Sequence, residues 1–221
     1  MKDELVIQNR PKANISEDIR TIRTNLQFTS DEDSKVLLVT SSIPGEGKSF
    51  ISSNLAVAFA QTGEPTLIVD SDLRLGRIHK IFDVSNGKGL SNMLVAPSTS
   101  EYPEYIKKTN IPNLYVISRG TVPPNPSELL NSPNTKKIIK ILKESFQHII
   151  FDGVPINGLP DSLIMANLVD RVILVTTVGY TSIDELNESK KALEKIDAKI
   201  AGVVVNKTPA TKRGKYSNYY E

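Results

Sequence analysis

Ser42-Ile43-Pro44-Gly45-Glu46-Gly47-Lys48-Ser49 is the stretch that decides the fold. It directly follows a β-branched apolar run over residues 36–40 and opens a helical pattern over 49–62, which Gly63 and Pro65 close. A glycine-rich turn between strand and helix points consecutive backbone N–H groups at one place, and the helix N-terminus adds positive potential there. Such a turn binds phosphate. Lys48 is placed to reach β- and γ-phosphates, and the Ser49 hydroxyl to ligate Mg²⁺. Pro44, Gly45, Glu46, Gly47, Lys48, Ser49 and Phe50 are the nucleotide-binding residues this reading expects. Ser42 stands where the usual pattern has glycine.

Working outward, short apolar runs at 66–70, 114–118, 148–152, 172–177 and 201–206 read as further strands. They are nearly continuous, as in a parallel sheet covered on both faces. Helical patterns over 134–146 and 182–196 lie between them, the second with Asp184 and Glu185 in its first turn, where the helix dipole favours acids. The alternation predicts an α/β, doubly wound, mainly parallel sheet. Ser16-Glu17-Asp18 predicts the start of an N-terminal helix over about 16–28. Residues 1–206 are expected to form the domain and 207–221, without apolar period, a flexible tail.

Composition narrows the chemistry. The 221 residues are 39% apolar and 24% charged, enough for a real core. Net charge is only +2, so a nucleic-acid partner is not expected. There is no cysteine, which excludes disulfides, Cys-ligated zinc, iron–sulfur clusters and thiol nucleophiles. No apolar run approaches the roughly 18–20 residues of a membrane helix, and no signal peptide is visible. The expected location is cytoplasmic.

Carboxylates collect at strand ends. Leu67-Ile68-Val69-Asp70-Ser71-Asp72-Leu73-Arg74 ends one strand, and Ile149-Ile150-Phe151-Asp152 another. In an open parallel sheet these ends lie on the side of the phosphate loop. Asp152 is expected to hold Mg²⁺ through water, with Ser49 and Asp70 as further metal ligands. Asp70 or Asp72 could orient or deprotonate an attacking hydroxyl. Arg74 either stabilises transferring charge or pairs with one of these carboxylates. With Lys48, these are the candidate catalytic residues.

The 67–74 segment resembles the Walker A′ box of the bacterial tyrosine kinases (BY-kinases) of capsule and exopolysaccharide synthesis. Four other pieces match that family: Glu17-x-x-Arg20-x-x-Arg23 resembles its self-association motif, and residues 41–49 its form of P-loop. Gly120-x-x-Pro123-Pro124-Asn125-Pro126-x-Glu128-Leu129-Leu130 resembles its Pro-rich loop, and Tyr216, Tyr219 and Tyr220 its tyrosine cluster. One departure is that Gly153-Val154-Pro155 follows Asp152 where the family has Thr-Pro-Pro. Partitioning ATPases of the same branch carry a second lysine where this chain has Ile43. The guanine-reading Asn-Lys-x-Asp is broken by Pro209, which favours ATP with Asn206 as an adenine contact.

The resemblance implies an ATP- and Mg²⁺-dependent protein tyrosine kinase that phosphorylates its own tail in trans and regulates capsule or exopolysaccharide synthesis and export. It further implies a ring-like homo-oligomer through Glu17, Arg20 and Arg23, and recruitment to the inner membrane face by the cytoplasmic segment of a separate transmembrane activator. A cognate tyrosine phosphatase and protein substrates phosphorylated on tyrosine complete the partners. The alternative is a nucleotide-switched ATPase that controls a membrane assembly without kinase activity. Three of the seven tyrosines fall in the last six residues, and residues 207–221 carry +3 by side chains. Three phosphates at about −1.5 to −2 each would reverse that sign. Other residues are assigned bland roles: His79 and His148 structural, Asp161 starting a short helix, Tyr102 and Tyr105 in surface packing.

Overall fold

The computed structural model describes residues 4–29, 34–96 and 98–208. Its strands are β1 (Val36–Ser41), β2 (Thr66–Asp70), β3 (Lys107–Lys108), β4 (Leu114–Ile117), β5 (His148–Pro155), β6 (Arg171–Thr177) and β7 (Ile200–Asn206). They form one sheet in the order β3-β4-β2-β5-β1-β6-β7. All pairings are parallel except β3 with β4. The helices are α1 (Val6–Asn9), α2 (Asn14–Thr29), α3 (Lys48–Ala60), α4 (Ile78–Ile81), α5 (Leu90–Leu94), α6 (Pro126–Leu130), α7 (Pro133–Ser145), α8 (Asp161–Ala166) and α9 (Ile183–Glu194).

The continuous apolar runs have a plain cause: alternate residues of each strand enter different cores. Leu37, Val39, Ile68 and Ile150 face Leu55 and Phe59 of α3 and Ile19 and Leu26 of α2. Val36, Leu38, Val69 and Phe151 face Ile138 and Leu142 of α7 and Met165 of α8. With helices on both faces, neither set of side chains meets water. β1 lies between β5 and β6, so the chain turns at its C-terminal end toward opposite sides of the sheet. A crevice opens there, in the usual position for a ligand in such sheets.

Several details differ from the sequence reading. α2 starts at Asn14, and Ser16 is buried rather than capping. Its hydroxyl donates to the carbonyls of Arg10 (2.8 Å) and Val6 (3.3 Å), stapling α1 to α2. β5 runs past Asp152 because the Thr40 hydroxyl donates to the Val154 carbonyl (2.6 Å) and keeps the edge paired. Tyr102 and Tyr105 are core residues, not surface ones. Ile183, the first residue of α9, is 77% exposed. His148 does take a structural role, stacking on Phe59 at 4.1 Å and meeting Glu64 at 2.7 Å. Among the described residues, no helix is long and apolar enough to cross a membrane.

Candidate active site

The phosphate loop leaves β1 and enters α3 with Gly45 at φ +81° and Gly47 at φ +94°, conformations that side-chain-bearing residues resist. Its shape is held by a buried carboxylate. Glu46 accepts the Ile43 N–H (2.9 Å) and the Thr181 hydroxyl, while its carbonyl accepts Asn206 Nδ2 (2.8 Å) and Thr177 Oγ1 (3.2 Å). Lys207 Nζ donates to the Gly45 carbonyl (2.9 Å) and lies 6.0 Å from the Tyr180 ring centroid. The Gly45 and Glu46 carbonyls are thus tied to residues at and just past the ends of β6 and β7. Lys207, assigned to the tail from sequence, is anchored here. Residues 209–221, with Tyr216, Tyr219 and Tyr220, lie outside the described residues.

Asp152 sits on β5 beside β1, and Asp70 ends β2 as its direct pairing partner. Asp152 is buried and accepts the Ser49 hydroxyl (2.7 Å) and the Ser52 hydroxyl (3.0 Å). Burial drives its pKa up to about 6, against the pull of those two hydroxyls and Lys48. Asp70 is pushed well above the usual carboxylate range, first by burial and then by Asp152. One of its oxygens accepts the Ile78 N–H (3.0 Å); the other, Oδ1, is buried without a partner. Burial lowers the Lys48 pKa, and Asp152, Asp72 and Glu46 partly restore it.

Asp72 is the carboxylate left facing outward. Its Oδ1 accepts the N–H groups of Arg74 (3.0 Å) and Leu75 (2.8 Å), a side-chain turn that fixes its orientation at the crevice edge. Asp70 is closed over by the following chain, since a Cβ on Gly76 would come within 2.2 Å of its Oδ1. That separation leaves Asp72 half-exposed at the crevice and Asp70 as a carboxylate of its floor.

Arg74 pairs with neither Asp70, Asp72 nor Asp152. Its Nε meets buried Asp161 at 2.9 Å, and its Nη2 meets the Ser127 hydroxyl at 3.1 Å. Ser127 also donates to Asp161, and Arg119 Nη1 donates to the Arg74 carbonyl (2.8 Å). The acidic loop, the Pro-rich loop and α8 therefore meet at one guanidinium. Asp161→Asn is expected to lower stability by about 1–3 kcal/mol, discounted because Arg74 is partly exposed. A thermal melt reads this loss, and an unchanged midpoint would mean that the loops are held without the pair.

Glu17, Arg20 and Arg23 on α2, expected from sequence to contact another copy, are engaged within the chain. Arg20 pairs with Glu17 and donates to the Pro11 carbonyl (3.0 Å), and Arg23 donates to the Ala58 carbonyl (2.9 Å) near the end of α3. Above the loop lies a cleft of about 680 Å³ with Ile15, Ile19, Ile22 and Phe50 on one side and Val204, Asn206 and Lys207 on another. Asn206 borders it, but its amide is spent on Glu46 and on the Lys207 N–H (2.8 Å). The altered Gly153 is locally required: a Cβ there would lie 2.8 Å from Ser162 Oγ and 2.9 Å from Leu38 Cδ1. The Ser162 hydroxyl is itself fixed on the Val154 carbonyl (2.6 Å).

Sequence reasoning missed the brace of Glu46, Thr177, Thr181 and Lys207, along with Arg119 and Ser127. Ser52 was legible, standing three residues after Ser49 on the same helix face. The distant partners carried no local signal.

The Asp152 carboxylate and the Ser49 hydroxyl, 2.7 Å apart at the head of α3, are hard oxygen donors that fit a divalent cation. Among the described residues, no group of three His, Cys, Asp or Glu gathers to enclose one. Such a cation would complete its shell with water and phosphate oxygens, as Mg²⁺ does.

Known proteins agree with this geometry. A family model described as ParA, NUBPL iron-transfer P-loop NTPase, matches residues 33–213. Tyrosine-protein kinase YwqD of Bacillus subtilis is 36% identical over 220 residues, covering 99% of this chain and 92% of that protein. The chain belongs to the bacterial tyrosine kinase family of capsule and exopolysaccharide synthesis. Another member, tyrosine-protein kinase CpsD of Streptococcus agalactiae, is 37% identical over 201 residues, 90% of this chain and 86% of that one. The crystal structure of the chimerical protein CapA2B2 superposes with a TM-score of 0.89 at 38% identity, covering 94% of this chain and 91% of the other. The iron transfer named for the ParA group has no thiol to work with here, since this tyrosine-kinase relative lacks cysteine altogether.

Proposed function

We propose that the protein is an ATP- and Mg²⁺-dependent tyrosine kinase that phosphorylates Tyr216, Tyr219 and Tyr220 of a neighbouring copy and thereby regulates capsule or exopolysaccharide synthesis and export. The observation that carries the reading is the gathering of Lys48, Ser49, Asp152 and Asp72 at one sheet edge beside a braced phosphate loop. The loop N–H groups and Lys48 bind the nucleotide phosphates, and the apolar cleft beside Phe50 receives the base. Ser49 and Asp152 would hold Mg²⁺, with Asp70, expected from sequence as a third ligand, lying behind Asp152 under the following chain; the ion would neutralise charge on the transferring phosphate. Asp72 takes the phenol proton of the acceptor. Phosphoryl transfer needs mostly positioning and charge neutralisation, so these residues suffice. We further propose a ring of copies through α2, recruitment to the membrane by a separate activator, and reversal by a phosphatase, as the resemblance implies.

The test is incubation with ATP and Mg²⁺, beside Lys48→Met, with and without an activator's cytoplasmic segment. Phosphate on the tail tyrosines of the wild type alone supports the kinase. ATP hydrolysis with an unmodified tail in both arms would instead make the protein a nucleotide-switched ATPase.

A further inference from the structure

Of the four tyrosines among the described residues, Tyr102 and Tyr105 are core and Tyr115 is half-buried in β4, stacked edge-on against Phe146. Tyr180 alone of these is open, at 58% exposure, on the turn between β6 and α9. Its position is specific. The hydroxyl lies 3.3 Å from where a Cβ on Gly45 would stand, so the phenol lies against the phosphate loop at a glycine. Lys207 reaches the carbonyl of that same glycine and sits over the same ring. The hydroxyl of the next residue, Thr181, is committed to Glu46 inside the loop.

We propose that Tyr180 is a further phosphoacceptor of this kinase, and that phosphate there disfavours nucleotide binding at the adjoining loop. The inference rests on the kinase reading above. In the reaction, the bond between the γ-phosphorus and the bridging oxygen of ATP breaks as the bond from Tyr180 Oη forms. ADP leaves with the electron pair, and the phenol proton passes to Asp72 of the phosphorylating copy. Transfer is between copies: Tyr180 follows β6 and Asp72 follows β2, three strands apart in the sheet, or about 14 Å. A tyrosine held across its own loop at that distance cannot line up with its own base.

The consequence is electrostatic. A phosphate at Tyr180 adds about −1.5 to −2 beside a loop whose task is to bind anionic phosphates, and it offers Lys207 a stronger partner than the Gly45 carbonyl. Withdrawing Lys207 loosens the loop while the new charge repels the ligand. Each round of transfer onto Tyr180 would thus switch off one nucleotide site.

The experiment mixes wild-type full-length chain, ATP and Mg²⁺ with a separately tagged Lys48→Met copy as acceptor, then maps phosphate on the acceptor. Tyr180 is the only tyrosine of the tryptic peptide 172–190, so its signal is unambiguous. Expected are phosphate on that peptide and its absence from a Lys48→Met/Tyr180→Phe acceptor. ADP binding is then compared for wild-type chains with and without phosphate at Tyr180, on a background with the three tail tyrosines changed to Phe. An affinity about tenfold weaker in the modified chain is expected from adding like charge at this range. A labelled tail with unlabelled Tyr180 overturns this inference and leaves the kinase reading standing. No labelled tyrosine anywhere, in mixtures run with and without the activator's cytoplasmic segment, overturns both. Labelled Tyr180 with unchanged ADP affinity overturns the inhibitory role.

Discussion

Asp152→Asn is expected to abolish phosphoryl transfer while leaving the nucleotide-free protein at least as stable as the wild type at pH 7–8. The two halves have one cause. Asp152 is buried at the meeting of β1, β5 and α3, where its charge has left water, with a smaller upward push from Asp72. Its pKa is accordingly raised to about 6. A raised carboxyl pKa means that the folded state holds its proton more tightly than the unfolded one. Stability therefore falls as pH rises from about 4 to 6, and the cost is fully present above that window. The shift corresponds to roughly 2–3 kcal/mol. Asparagine keeps the size and accepts at least one of the two serine hydroxyls without that charge, and it also relieves Asp70. In the loaded enzyme the same charge is needed to hold Mg²⁺, whose loss costs several kcal/mol of transition-state stabilisation, or about 10²–10⁴ in rate. Urea melts from pH 4 to 8 should show the wild type losing stability relative to the variant across the window, while radiolabelled transfer to the tail disappears. A variant less stable at pH 8 than at pH 4, relative to wild type, would show that Asp152 is ionised and favourably paired in the empty fold.

How much of this was written legibly in the sequence depended on the range of the interaction. The phosphate loop was readable because glycines, lysine and serine must stand in one order between a strand and a helix, and no distant partner alters that demand. The strands β1, β2, β4, β5 and β6 were readable because both faces of the sheet are buried there, which makes each run apolar; β7 showed as an apolar run although Val203 and Val205 are exposed, and β3, two lysines, gave no signal. Ser16 misled because its neighbours, Glu17 and Asp18, look like a helix start, whereas its hydroxyl answers carbonyls in α1 that only the folded chain brings near. Arg74 shows the same limit more sharply. Its nearest acids in sequence are Asp70 and Asp72, yet its partner is Asp161, 87 residues away. Glu46 reads as one of the nucleotide-binding residues, and its bracing role shows only when Thr181 arrives from the turn after β6 and Asn206 from the end of β7. Local grammar gave the chemistry of the site, and long-range packing gave the order in which its carboxylates divide the work.

That division is tested most severely at Gly76. Its backbone is not in a conformation reserved for glycine, so a local rule would permit alanine. Packing does not: the added methyl would lie 2.2 Å from Asp70 Oδ1 and 2.5 Å from both Asp70 Cγ and Oδ2. Asp70 cannot step aside, because the Ile78 N–H holds it on one side and Asp152 flanks it on β5. The loop must lift instead, carrying Asp72 and Arg74 with it. Gly76→Ala is therefore expected to cost about 3 kcal/mol or more, the upper range for overpacking a filled site, and to remove transfer activity along with it. Shortening the obstructed side chain supplies the control. Gly76→Ala with Asp70→Ala should recover most of the lost stability, because the methyl then occupies the space of the carboxylate, while activity stays absent. A double-mutant cycle on urea unfolding should give a coupling of about 2 kcal/mol or more in favour of the pair. Additive effects would mean that the loop over Asp70 is open, and Asp70 rather than Asp72 would then be free to meet the acceptor hydroxyl.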